Sequence, residues 1–356
     1  MSICLNMIVK NESANLERCL RSVLPVISSW FICDTGSTDD TAEIINAVLK
    51  HIPGELHSVP FVDFAQTRNI AMEKAKRSPL EFQYLLLMDA DMELVTTDPW
   101  ALNGLTEPCY QLMQKNVISY YNTRLVRRDE KAHYEGVTHE YLVTSTAAKK
   151  LNTAWFIDHA DGANRQGKFL RDIELLKDAL ASNPHNHRYQ FYLAQSYMDN
   201  GNLSLAREEY RRRVDMAGWD EEVWYSMYKI AQLTERIGDT DNMIEGLYLQ
   251  AYDYRPTRAE PLVELARWHR EKSRYSRAFM YATAAASIAK PDDLLFMDDS
   301  AYSWRPLDEI SISAWYVGAF KEGQIAAESV IWDTKVPDYV RARVADNLKF
   351  YTQRAA

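Results

Sequence analysis

Short apolar runs and helical periods alternate over the first ninety or so residues. Ile3–Val9, Trp30–Cys33 and Tyr84–Met88 are uncharged stretches of strand length, and each gives way to polar residues: Lys10-Asn11-Glu12, Asp34-Thr35-Gly36-Ser37-Thr38-Asp39-Asp40-Thr41, and Asp89-Ala90-Asp91. After the first two, apolar positions return at helical spacing, as Leu16, Leu20 and Val23 and then Ala42, Ile45, Val48 and Leu49. Continuous apolar runs suit strands buried on both faces. Their alternation with helices requires parallel pairing through crossovers, so the loops after the strands gather at one carboxyl edge. In α/β folds that edge is where ligands bind.

From about residue 166 the texture changes to helix-forming, aromatic and charged sequence with an internal period. Leu193-Ala194, Ile230-Ala231 and Leu265-Ala266 are equivalent apolar-small pairs, and Ala194, Ala231 and Ala266 lie 37 and 35 residues apart. Tyr197, Ala206 and Tyr210 follow the first pair in register. Tyr248, Ala251 and Pro256 follow the second if Gly238–Asp241 holds one extra residue, and Ala278, Ala282, Ala285 and Pro291 follow the third. Small residues here let antiparallel helices approach closely while aromatics fill the gap to the next pair. The pattern resembles a tetratricopeptide (TPR) array of about three units, preceded by a helix at Lys168–Leu180. A fourth pair is expected over Leu307–Asp333 and a last helix over 334–356, with an irregular cap beginning at about 291.

The polar ends of the strands carry the candidate chemistry. Asp89 and Asp91 are hard oxygen ligands one residue apart, suited to Mg²⁺ or Mn²⁺ and through it to a diphosphate, although a solvated acidic turn has the same sequence. Asp34 stands where it can accept hydrogen bonds from a ribose or base, beside Gly36, which permits a tight turn. Ser37-Thr38-Asp39 reads equally as a cap for the next helix. Arg68, on a helix spanning Thr67–Lys76, is a permanent cation fitted either to bidentate phosphate contact or to a surface ion pair.

Four segments in order, Asn6–Glu12, Asp34–Asp39, Phe64–Asn69 and Met88–Asp91, make residues 1–165 similar to a family 2 glycosyltransferase with the GT-A nucleotide-sugar fold. The resemblance implies an α/β, Rossmann-like mixed sheet, followed over 166–356 by an all-α TPR-like domain. It implies that Glu12 and Asp34 touch the nucleoside, that Arg68 reaches the diphosphate or shapes the donor pocket, and that Asp89 and Asp91 serve ribose and metal. Gly136–Tyr141 occupies the place of the acidic acceptor-edge motif, with Glu140 or His139 as the catalytic base. His159 matches the late histidine that completes the metal site, an imidazole better suited to Mn²⁺ than to Mg²⁺. The activity implied is inverting hexosyl transfer from a nucleotide sugar, a UDP-sugar foremost, to a protein or peptide held by the repeats. A hydroxylated DNA base or a glycan is the alternative acceptor, and an inactive scaffold the alternative role.

Composition narrows the partners further. The formal charge of −9 disfavours nucleic acid, yet Arg267, Arg270, Arg274 and Arg277 recur on one helical face, and Arg207, Arg211, Arg212 and Arg213 form a second group. Each group reads as a solvated face balanced by Glu208, Glu209, Glu264 and Glu271, or as a docking surface for an acidic peptide or a phosphate backbone. The four cysteines, Cys4, Cys19, Cys33 and Cys109, have no metal-type spacing and read as buried reduced thiols. With no apolar run of about 20 residues and no leader pattern, the expectation is a soluble, cytoplasmic protein.

Overall fold

In the computed structural model, which describes residues 2–98, 100–116, 119–162 and 167–355, the chain divides into two compact units, Met1–Ser182 and Asn183–Ala356. The first unit is built from strands β1 (Ile3–Val9), β2 (Ser29–Asp34), β3 (Gly54–Ser58), β4 (Tyr84–Leu87), β5 (Met92–Thr96), β6 (Cys109–Lys115), β7 (Ser119–Arg127), β8 (Ala132–Glu135), β9 (Tyr141–Thr144) and β10 (Lys149–Asp158). Its helices are α1 (Leu16–Val23), α2 (Thr41–Val48), α3 (Phe64–Arg77) and α4 (Lys168–Ser182).

Eight strands form one mixed sheet in the order β3-β2-β1-β4-β7-β6-β10-β5, and β8 and β9 form a separate hairpin. The first four sheet strands are parallel, which sends the polar ends of β1, β2 and β4 to one edge. Beyond them β7 runs antiparallel to β4, so the sheet is mixed. Leu5, Ile32 and Leu86 are fully buried on one side with α1 and α2, and Cys4, Cys33 and Leu85 on the other with Ala71, Met72 and Ala75 of α3. The thiols lie inside this core, and burial pushes Cys33 and Cys109 up to about 11.

The boundary expected at 165/166 falls outside the described residues, and the helix after it groups with the first unit. Ile173 and Leu176 of α4 are buried, and Arg171 lies over the Phe64 ring at 5.1 Å. Asp172 on the same helix is only 1% exposed. Neither of its oxygens makes a hydrogen bond of regular geometry, although Thr138 is close enough to favour the charged form.

The second unit stacks helix pairs α5 (His187–Asp199) with α6 (Leu203–Asp215), α7 (Asp220–Ile237) with α8 (Asp241–Tyr254), α9 (Glu260–Glu271) with α10 (Tyr275–Ala286), and α11 (Trp304–Val317) with α12 (Phe320–Trp332). α13 (Asp338–Ala355) follows. Ala194, Ala231, Ala266, Ala206, Ala251, Ala278, Ala282 and Ala285 are all fully buried, as the TPR-like register requires. The irregularity expected from about 291 onward is confined to the stretch between α10 and α11, and regular helices resume at Trp304.

The arginine groups are mortar between pairs. Arg213 reaches Glu222 at 3.0 Å, Arg267 reaches Glu235 at 2.7 Å, Arg277 reaches Glu245 at 2.9 Å and Arg270 reaches Glu309 at 2.6 Å, each bond crossing from one helix to another. Their partners therefore include acids on neighbouring helices as well as those nearby in sequence.

Residues between α10 and α11 fold back over the first helices of the earlier pairs. Glu221 of α7 accepts the backbone N–H groups of Leu294 and Leu295 at 2.8 and 2.7 Å, and Asp293 pairs with Arg255 and Arg258. Phe296 stacks on Phe191 of α5 at 6.4 Å and lies 4.8 Å from the Tyr225 ring of α7. Fully buried Arg258 is held by Glu260 at 2.8 Å and stacks on Trp224 at 3.8 Å.

Burial holds the Asp172 carboxyl above the usual carboxylate range, with Lys168 and Arg171 opposing. A carboxyl raised on folding binds its proton more tightly in the native state, so its contribution to stability is full at acid pH and is lost as pH rises through the folded value. Asp172→Asn should therefore melt above the parent at about pH 8, with the gap closing towards about pH 4. A variant less stable than the parent across that range would show that the fold uses the charged form.

Candidate active site at the carboxyl edge of the sheet

The loops after β1 and β2 lock into each other before any ligand is considered. Asn11 takes a left-handed backbone (φ 54°). Its Oδ1 accepts from the Thr38 N–H at 2.7 Å, while its own N–H donates to Ser37 Oγ at 3.0 Å. Glu12 N–H donates to Thr41 Oγ1 at 2.8 Å, and the Glu12 side chain is buried. Asp34 Oδ1 accepts from the N–H groups of Gly36 and Ser37 at 2.9 and 2.8 Å, a self-closing turn that fixes its carboxylate at the strand end. Asp39 accepts from both Thr41 N–H and Thr41 Oγ1, so Ser37-Thr38-Asp39 also serves the start of α2.

Asp89 is the centre of the site. Its Oδ1 accepts from Arg68 Nη2, and its Oδ2 accepts from Arg124 Nη1 at 3.3 Å. Burial alone would raise this carboxyl, but the two guanidiniums draw it down to about 2, so it stays ionised. Arg68 also donates through Nε to Glu140 Oε1 at 2.7 Å and lies 5.7 Å from the Tyr134 ring centre. The two carboxylates hold its guanidinium well above the usual range despite burial.

Glu140 reaches this cluster because its hairpin turn is rigidly built. Gly136 has φ 108° and His139 φ 50°, both in the left-handed region. Asn69 of α3 clamps the hairpin base, donating to Tyr134 O at 2.9 Å and accepting from Tyr134 N–H at 2.7 Å. Phe64 N–H donates to Val137 O at 3.3 Å, tying the start of α3 to the turn. His139, the other candidate base, is exposed.

The three residues expected to hold a metal are not gathered side chain to side chain. Asp89 spends both oxygens on guanidiniums, and His159 Nε2 faces Glu93 Oε2 at 3.0 Å. His159 meets Asp91 through the backbone, its N–H donating to Asp91 O at 3.1 Å. Among the described residues no group of three His, Cys, Asp and Glu side chains has a metal-holding arrangement. Asp91 itself suits a cation: burial, then the charges of Asp89 and Asp158, push its carboxyl upward, and Gly162 N–H approaches its Oδ2 only at 3.4 Å. A carboxylate under this negative charge is one that a divalent cation would favour.

Residues 4–165 match the family model for glycosyl transferase family 2. The N-terminal domain belongs to glycosyl transferase family 2. The chain is also 25% identical over 327 residues to a TPR repeat-containing protein of Synechococcus elongatus, covering 81% of this chain and 75% of that one. Among solved structures, a tetratricopeptide repeat protein from Parabacteroides merdae is similar at 16% identity, 53% and 68% coverage and a TM-score of 0.40. A thermophilic TPR protein in Thermus thermophilus is similar at 14% identity, 52% and 92% coverage and a TM-score of 0.35. No helix among the described residues is long and apolar enough to cross a membrane.

Sequence reasoning missed Arg124, Gln114 and Asp158. Gln114 Oε1 accepts from Arg124 Nη2 at 2.9 Å, and Gln114 Nε2 donates to Asp158 Oδ2 at 2.8 Å. The available signal was Arg124 itself, a charge beside the apolar pair Leu125-Val126, where a buried cation demands a partner.

Replacing Gly136 should cost stability, because a Cβ there meets Glu140 Cα and Thr138 O at 3.2 Å on a backbone already at positive φ. Gly136→Ala should lose about 1–3 kcal/mol in denaturant unfolding, and an unchanged midpoint would show that the turn relaxes freely.

Proposed function

We propose that this glycosyltransferase moves a hexose from a nucleotide sugar, a UDP-sugar foremost, to a polypeptide acceptor with inversion at the anomeric carbon. The observation that carries the reading is the convergence of Arg68, Asp89 and Glu140 on one point at the carboxyl edge, with Asp91 two residues on. That edge also receives Glu12 and Asp34 from β1 and β2, the side expected to meet the nucleoside.

Each residue then has a separate task. Asp89, kept ionised by its two arginines, accepts hydrogen bonds from ribose hydroxyls. Arg68 spends Nε and Nη2 on carboxylates, and its Nη1, which has no hydrogen-bond partner among the described residues, offers a cationic donor to the diphosphate. Asp91 would hold a Mg²⁺ or Mn²⁺ ion, which when bound neutralises charge on the leaving diphosphate. Glu140 takes the proton from the acceptor nucleophile as its bond to the anomeric carbon forms and the bond from that carbon to the phosphate oxygen breaks. The nucleoside diphosphate leaves with the electron pair. Glu140 is preferred to exposed His139 because its carboxylate is tied into the donor cluster through Arg68.

A polypeptide acceptor fits the second unit better than nucleic acid does. Its arginines are engaged with acids on neighbouring helices, so the stripe they form is largely neutralised and unsuited to tracking phosphate. Part of the face formed by the first helices of the pairs is already covered by the chain's own Asp293–Phe296, which restricts a peptide to what remains of the array.

A thermal-shift panel of UDP-, GDP-, CDP- and TDP-sugars with and without Mn²⁺ tests the donor. One nucleotide should stabilise the chain in a metal-dependent way, and Asp91→Ala should abolish that shift while the helical unit stays folded; full activity of Asp91→Ala would remove the residue from the site. Glu140→Gln should keep the donor shift and lose transfer by about 10²–10⁴-fold, and an unchanged rate would move the base elsewhere.

A further inference from the structure

We propose that Arg124 is a positioning residue that fixes the carboxylate plane of Asp89 for the donor, a role that rests on the glycosyltransferase reading above. Arg124 is 7% exposed and lies in β7, a strand with no part in the motifs that single out the site. Its guanidinium is shared between two acceptors, Asp89 Oδ2 at 3.3 Å and Gln114 Oε1 at 2.9 Å, with the Phe156 ring centre 5.9 Å away. Because the Gln114 carbonyl faces Arg124, its amide faces Asp158, and Asp158 Oδ1 accepts in turn from Ala160 N–H at 2.9 Å.

The chain of bonds thus runs from Asp89 through β7, β6 and β10 into the loop that brings Gly162 against Asp91. Both acids of the Asp89-Ala90-Asp91 triplet are connected to it, one directly and one through that loop. Arg68 holds the other oxygen of Asp89, so without Arg124 the carboxylate keeps one anchor and can rotate about it. Only a planar fork donates in fixed directions to two acceptors on different elements, which makes the requirement one for arginine and not for charge alone.

The test uses the full chain, the nucleotide sugar that stabilises the wild type in the panel above, and separate variation of donor and acceptor. Arg124→Lys keeps the charge and loses the fork, Arg124→Met keeps only bulk, and Gln114→Leu leaves Arg124 in place without its second acceptor. Donor KM is expected to rise about tenfold or more in Arg124→Lys, further in Arg124→Met and less in Gln114→Leu, with acceptor KM unmoved. The donor-induced thermal shift should fall in the same order. Wild-type kinetics in Arg124→Lys would overturn the positioning role, since charge would then suffice. A lower kcat with both KM values unchanged, tracking only the folded fraction, would overturn it as well. Should Arg124→Met fail to fold, Arg124→Lys and Gln114→Leu decide the matter. If the wild type binds no nucleotide sugar, the functional reading fails and takes this inference with it; a binding wild type with unaffected variants defeats the inference alone.

Discussion

A carboxylate held between two guanidiniums organises the first unit's functional edge. Asp89 sits at the end of a fully buried strand, where an isolated charge would be costly, and Arg68 and Arg124 offset that cost from opposite sides. The two cations come from different parts of the fold, one from α3 and one from β7. Holding Asp89 therefore fixes the helix and the antiparallel half of the sheet relative to the parallel half. Glu140 is brought in by the same logic, since two guanidiniums on Asp89 leave one positive charge that a second carboxylate balances.

The parallel half and the antiparallel half contribute differently. β1, β2 and β4 deliver loops whose polar residues bond mostly to one another: Asn11 to Thr38, Glu12 to Thr41, and Asp34 to its own turn. Their geometry is fixed before a ligand arrives. The antiparallel half supplies Arg124, which bonds Asp89 directly, and Gln114 and Asp158, which carry the bonding on from Arg124 to the Ala160 N–H. Preorganisation of this kind keeps the reorganisation needed on binding small.

The sequence exposed some of this and hid the rest for identifiable reasons. Strand runs ending in acids located β1, β2 and β4 and the edge they share, because burial on both faces leaves a continuous apolar signature. The small-residue register of Ala194, Ala231 and Ala266 located three helix pairs, because close helix packing tolerates little else there. Arg124 was overlooked because a charge beside Leu125-Val126 signals a partner without naming it, and its partners, Asp89 and Gln114, lie on other elements. The pairing of His159 with Glu93 was hidden similarly: spacing says where a histidine lies along the chain but not which way its ring turns. The arginine stripe was seen, while its partners on other helices could not be, since those contacts depend on how the pairs stack.

The return of Asp293–Phe296 to α5 and α7 changes what kind of object the second unit is. A simple stack of repeats behaves as a row of nearest neighbours, fraying from either end and able to lose a terminal unit. Here a segment just before the fourth pair closes against the first two, with Phe296 on Phe191 of α5 and the Leu294 and Leu295 N–H groups on Glu221 of α7. That long closure costs chain entropy once and ties the first two pairs to the segment that precedes the fourth. Cutting the chain before residue 291 would remove part of the packing of α5 itself, and the minimal folding unit is set by this stitch and not by the repeat length.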